Sequence, residues 1–271
     1  VPSAAREALL DLLATANLWQ RAALPAVKAD RPTKEPGRAD KLRAEGKLAA
    51  VVQAFFARMT KKVTVKLNSA PPKQAAVKAD YTDTTFDSEF FTDDEFESAL
   101  EKVLTTAAQG GVLQFTDMVA LEIDQSAVNK EAAAAIKTYT FDLVKNLDDS
   151  SRKSLRLAIS DFITSPGMTM ADVIDRLPFT ESRASLIATT EITRAYSTGQ
   201  SIAGEAVAIA WPDVPVTKMW HTNNDSLVCP ICDPLDGTEA PQDGSFDDEY
   251  DAPPAHPGCR CWVSYRTNIN G

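Results

Sequence analysis

Every cysteine and histidine of the 271-residue chain falls between residues 221 and 261: His221, Cys229, Cys232, His256, Cys259 and Cys261. Core packing does not gather thiols and imidazoles this way. Metal binding does, because zinc takes four tetrahedral ligands of thiolate or imidazole type, usually delivered as two close pairs. Cys229-Pro-Ile-Cys232 supplies one pair through a tight turn that Pro230 helps to shape. Cys259 and Cys261 supply the other, since residues i and i+2 of an extended chain point to the same side. The four cysteines form the first ligand set, and His256 in place of Cys259 the second. A Cys229–Cys232 disulfide and free thiols are the alternatives. The N-terminus lacks the basic-then-apolar layout of a signal peptide, which argues for a reducing compartment and against the disulfide.

A thiolate-rich, closed site is structural rather than catalytic. No H-E-x-x-H occurs, and the deaminase pattern fails because Asn223 stands where its glutamate belongs and Val228 precedes Cys229. The acidic run Asp243, Asp247, Asp248, Glu249 and Asp251 lacks the spacing of a calcium loop and reads as a solvated loop. Structural zinc would hold together a C-terminal module too small and polar to fold on its own core.

Elsewhere the pattern is helical, so the fold class is mainly α, with a helical body and a small, irregular, β-containing C-terminal module. Amphipathic helix is expected over 3–29, with a break at 30–42, then helix again over 43–61. The run 63–67 (VTVKL) alternates and reads as a short strand or extended link. Pro71 and Pro72 open a polar stretch to about residue 84. Thr92 to Glu95 resembles a capping box before a helix that Gly110-Gly111 ends. Further helices are expected over 117–123, 127–147 and 150–162. A short one follows Thr169, and a longer one spans 181–209 behind Thr180. Short β-like runs lie at 215–221 and 261–266. The expected division is 1–80, 81–210 and 211–271. No stretch approaches the roughly 20 apolar residues of a membrane span.

Charge is uneven. The chain carries a net charge of −10, yet residues 21–78 hold fourteen Lys/Arg against four acids, and residues 79–271 are strongly acidic. A basic segment on an acidic body suggests an arm, Lys28 to Lys78, that docks on an acidic surface or on nucleic acid. A solvated linker is the plainer reading. The acidic body argues against sequence-specific duplex binding by the whole chain.

On a helix, Ala184, Ile187, Ala188, Glu191, Ala195 and Ile202 share one face, which puts Glu191 inside an apolar stripe. A buried carboxylate is costly unless paired. Arg194 lies at i+3 and Arg260 sits between the two late cysteines. The three are read as a structural ion pair fastening the helix to the metal module. General acid/base chemistry at Glu191 is the sharper alternative, though no nucleophile or second carboxylate is positioned by sequence.

The stretches R183-A-S-L-I-A-T-T-E-I-T-R-A-Y, W220-H-T-N-N-D225, C229-P-I-C232-D-P-L-D-G237 and P253-P-A-H256-P-G-C259-R-C261 resemble the phage minor head, or head-morphogenesis, family typified by the F protein of phage Mu. The resemblance covers about residues 150–266. Thr190 departs from it, standing where an Arg is expected before or near the Thr-Glu pair. The resemblance implies a non-enzymatic virion component, made in the host cytoplasm and carried into the head. Its implied partners are the portal protein and the major capsid or scaffold protein, with packaged DNA facing the basic N-terminal region and no membrane. The family's Cys, His and Thr-Glu positions fall on Cys229, Cys232, His256, Cys259, Cys261 and Glu191. Some relatives carry a toxin or transferase domain behind the cysteines, and none is expected in the ten residues after Cys261. Two rivals stand beside this reading: a phage-encoded enzyme using Glu191 or the metal, and a zinc-bearing nucleic-acid module.

Overall fold

The computed structural model describes residues 34–69, 85–86, 90–165 and 167–267. The helix expected over 3–29 and the polar stretch at 71–84 lie outside them. Five helices are described: α1 (Arg38–Ser69), α2 (Asp94–Val119), α3 (Gln125–Thr164), α4 (Met170–Asp175) and α5 (Glu181–Ala210). Three strands follow: β1 (Val216–His221), β2 (Glu239–Pro241) and β3 (Trp262–Thr267), with a single 3-10 turn at Asp233–Leu235 before β2. The chain is mainly α, with one small antiparallel sheet among the described residues, in the order β2-β1-β3.

The residues group into two compact units. Of the described residues, one unit takes those within 46–101 and 138–188, the other those within 34–45, 102–137 and 189–267. In the first, Leu48, Val52, Phe55, Phe56, Met59, Val63 and Leu67 are all buried. Their spacing of three and four keeps them on one side of α1, which is why 63–67 is helix and not the expected strand: Val63 and Leu67 extend the apolar stripe. Phe55 stacks on Phe96 with ring centroids 4.1 Å apart. The cap of α2 is Asp93, not Thr92. Its carboxylate accepts the Phe96 N–H at 2.9 Å and the Arg58 guanidinium at 2.7 Å. The break expected near residue 148 is absent, and α3 runs on with Leu143, Leu147, Leu155, Ala158 and Ile159 buried along one side. Thr169 begins α4 with a reciprocal capping box to Asp172. The Thr180 hydroxyl accepts the Arg183 N–H at 3.2 Å where α5 starts.

The second unit contains the cysteines. Here Gly110-Gly111 does not end α2. A Cβ on Gly111 would lie 2.1 Å from the Tyr196 carbonyl oxygen, and one on Gly199 would lie 1.9 Å from that of Ala108. The glycines let α2 and α5 touch backbone to backbone, a role that outweighs their poor helix propensity. Between Thr190 and Gln200, α5 is buried on nearly every side.

The sheet continues this core. Phe115 of α2 meets Tyr265 of β3 edge-on at 4.7 Å. Strands β1 and β3 pair in register from Val216↔Thr267 to His221↔Trp262. The two β-like runs of the sequence are thus β1 and β3, while β2 is too short to show a period. Residues ahead of the body join this unit too. Buried Glu35 and Lys41 form an ion pair at 2.8 Å, and the Gln114 amide donates to the Pro36 carbonyl.

Candidate metal centre

Two turns carry the thiols. In the first, Cys229 opens a knuckle. Its carbonyl accepts the N–H groups of Cys232 and Asp233 at 3.1 and 3.0 Å, and its sulfur lies 3.4 Å from the Cys232 nitrogen. Pro230 fits the fixed φ of such a turn. In the second, the Cys259 N–H returns to the His256 carbonyl at 3.1 Å. Pro257 and Gly258 occupy its centre, and Gly258 takes φ +77°, the left-handed value that a type II turn requires at that place. The run then passes Arg260 and Cys261 into β3.

The turns bring five donors together. Cys229, Cys232 and His256 form one mutually close group, and Cys232, Cys259 and Cys261 a second, with Cys232 common to both. His256 Nε2 lies 2.9 Å from the Cys229 sulfur and 3.3 Å from that of Cys232, while the Cys232 and Cys259 sulfurs are 3.7 Å apart. Ligands on a tetrahedral zinc, with metal–sulfur bonds of about 2.3 Å, stand roughly 3.5–3.8 Å from each other. The Cys232–Cys259 separation matches that spacing and the two His256 contacts are shorter, so these groups could hold a metal ion. The other imidazole nitrogen, Nδ1, donates to the Pro257 carbonyl at 2.9 Å, which leaves the Nε2 lone pair aimed at the thiols. The recess above them is walled by the cluster with Thr222, Asn223, Leu227, Val228, Gly258 and Arg260.

Protonation follows the crowding. Burial pushes the Cys232 thiol up to about 12. A hydrogen bond from Cys261 holds Cys259 down at about 5, and the same bond, with burial, drives Cys261 upward. Burial is the largest single influence on Cys229 and opposes its ionisation, but hydrogen bonds from Cys232 and the Ile231 backbone, with His256 nearby, together outweigh it and leave that thiol below its ordinary value. Thiols this close cannot all ionise beside one another, and a divalent cation removes the conflict.

The second histidine belongs elsewhere. His221 is buried, stacks on Trp262 at 4.0 Å and shares a 2.7 Å hydrogen bond with Ser264, so it joins β1 to β3. The acidic loop is folded on itself. Asp251 accepts from the Ser245 hydroxyl at 2.7 Å through its carboxylate and from the buried Lys218 at 2.8 Å through its carbonyl.

Around the cluster stand residues to which sequence reasoning gave no role. The Thr190 hydroxyl accepts the Gly258 N–H at 2.8 Å, tying α5 to the second turn. Asp225 holds the Leu227 N–H at 2.9 Å and receives both terminal nitrogens of Arg260 at 2.7 and 2.8 Å. Asp236 accepts the Thr222 N–H at 2.8 Å, and Arg38 reaches Asn223 at 2.7 Å. The signal for Asp225 in the sequence is its place at the end of the W220-H-T-N-N-D225 stretch, four residues before Cys229. Of the three expected ion-pair residues, Glu191 is buried and lies 3.5 Å from Arg194, while Arg260 reaches Asp225.

With this geometry in place, comparison with known families adds one finding. Residues 164–264 match the family model described as phage Mu protein F like protein. The match runs from the last residue of α3 into β3 and takes in α4, α5 and both cysteine turns, over the stretch where the resemblance was read. No curated protein and no solved structure matches the chain.

Proposed function

We propose that this phage Mu protein F like chain is a minor head protein of a tailed phage, a non-enzymatic part of the virion that acts in head morphogenesis. The observation that carries the reading is the family match over both cysteine turns and the helix packed beside them. The protein is made in the host cytoplasm and enters the head. There it associates with the portal protein and with the major capsid or scaffold protein, and serves DNA packaging or ejection. The basic region from Lys28 to Lys78 does the docking: α1 within it keeps its apolar side in the core, and its exposed cations, Lys47 and Lys61 among them, face the portal or packaged DNA. No helix among the described residues is long and apolar enough to cross a membrane.

Zinc bound by four of Cys229, Cys232, His256, Cys259 and Cys261 acts as a structural clamp. It supplies charge neutralisation and a cross-link between the two turns. This chain's own residues orient the donors. The nucleic-acid rival needs free cations near the thiols, and Arg260 and Arg266 are instead paired with Asp225 and Glu239 at 2.7 and 2.6 Å.

Co-purification with tagged portal protein tests the proposal, run with the full chain and with a Lys47→Glu, Lys61→Glu variant that leaves the buried side of α1 intact. Retention of the wild-type chain and loss in the charge variant, with unchanged thermal unfolding, is the expected result. Retention of both forms moves the contact to the helical body. Association by neither contradicts portal docking.

A further inference from the structure

The ligands arrive from two turns separated by residues 233–255, so the spacing of those turns has to be set by contacts across that span. We propose that Arg260 and Asp225 form a positioning pair that sets the spacing of the two turns before the ion binds. The inference rests on the metal reading and concerns residues outside the donor set.

Each member of the pair sits beside a turn that carries ligands. Arg260 is the residue between Cys259 and Cys261, so displacing its backbone displaces both thiols. Asp225 governs the approach to Cys229. Its carboxylate holds the Leu227 N–H at 2.9 Å, and its carbonyl accepts the Val228 N–H at 3.2 Å. The guanidinium joins the two by a two-pronged contact at 2.7 and 2.8 Å across 35 residues of sequence. A planar fork meeting a carboxylate fixes direction as well as distance, which a lysine ammonium cannot do. The charges reinforce one another: the Arg260 hydrogen bonds hold the Asp225 carboxyl below its ordinary range. Both side chains are partly exposed, at 33% and 40%, so the contact contributes little to folding of the chain as a whole. Its effect falls on the geometry of the two turns, where supports around a metal set ligand direction.

Cobalt(II) serves as the probe, added to the full-length metal-free protein, because its visible absorption reports tetrahedral thiolate ligation. Affinity is read by competition with a chelator, and thermal unfolding of the metal-free proteins is recorded alongside. Arg260→Gln and Asp225→Asn should each weaken cobalt binding about tenfold with an unchanged absorption envelope and unchanged unfolding. The double variant should be no weaker than either single one, because the two changes remove one contact. Arg260→Lys should fall between wild type and Arg260→Gln. Wild-type affinity in Arg260→Gln overturns the proposal, as do losses that multiply in the double variant. A change in the absorption envelope also overturns it, since the ligands would then differ. Absence of any cobalt absorption in the wild type overturns the metal reading itself and the pair's role with it.

Discussion

The Thr190 hydroxyl accepts the backbone N–H of Gly258 at 2.8 Å, across 68 residues of sequence. Gly258 lies at the centre of the turn between His256 and Cys259, so a helix residue fixes the loop that presents two donors. Thr190→Val keeps the shape and removes the acceptor, leaving a partly buried donor unmet. The loss should be about 1 kcal/mol. Hydrogen exchange at residues 256–261 should quicken in Thr190→Val and stay at wild-type rates in Thr190→Ser. Equal exchange in both variants would contradict the link.

Gly199 and Gly111 allow the crossing of α2 and α5. Gly199→Ala places a methyl where a carbonyl oxygen already stands, and the obstacle is backbone, which cannot rotate away. Destabilisation of about 3 kcal/mol or more is expected. Gly46→Ala is the control, for nothing lies within 4 Å of its added methyl and helix propensity alone should favour it. Thermal unfolding of the two variants should move in opposite directions.

Asp148 gives a pH dependence remote from the thiols. Burial, with Asp149 beside it, raises its carboxyl to about 6, and its Oδ1 has no hydrogen-bond partner. The unfolded chain releases this proton near pH 4 and the folded chain near pH 6. Ionisation therefore costs stability as pH rises through that window, and the cost is complete above it. Full linkage would give about 3 kcal/mol, and solvent screening at a half-buried carboxylate reduces this to about 1 kcal/mol. Asp148→Asn should unfold at a higher temperature than wild type at pH 7.5 and lose that advantage below pH 4. An advantage independent of pH would show that charge is not its source.

Removing the metal should loosen one part of the chain first. Treatment with a chelator is expected to speed proteolysis within residues 211–267 while the helices of the other unit stay protected. Lowering the pH should have the same effect, because protons compete with the ion for thiolates. Full protease resistance of this region in a Cys229→Ser, Cys261→Ser double variant would count against the clamp.

The thiol cluster was legible because its chemistry is local: C-x2-C and C-x-C each make a donor pair whatever surrounds them. The helices at 170–175 and 181–210 were legible through Thr169 and Thr180, caps that act within one turn. Errors arose where a distant partner decides. Gly110-Gly111 has the chemistry of a stop until Tyr196 is laid against it, and VTVKL alternates like a strand until Val63 and Leu67 join the stripe begun at Leu48. The same holds at the site. Thr190 and Asp225 matter through Gly258 and Arg260, 68 and 35 residues away, and no spacing along the chain announces such contacts.

Native mass spectrometry of the full chain, purified without chelators or added metal, tests the central claim most directly. The account predicts one zinc ion per chain, lost together with its protection of the thiols when the protein is acidified. A metal-free chain whose mass is lower by the hydrogens of two disulfides, or one with four freely alkylated thiols, would contradict it.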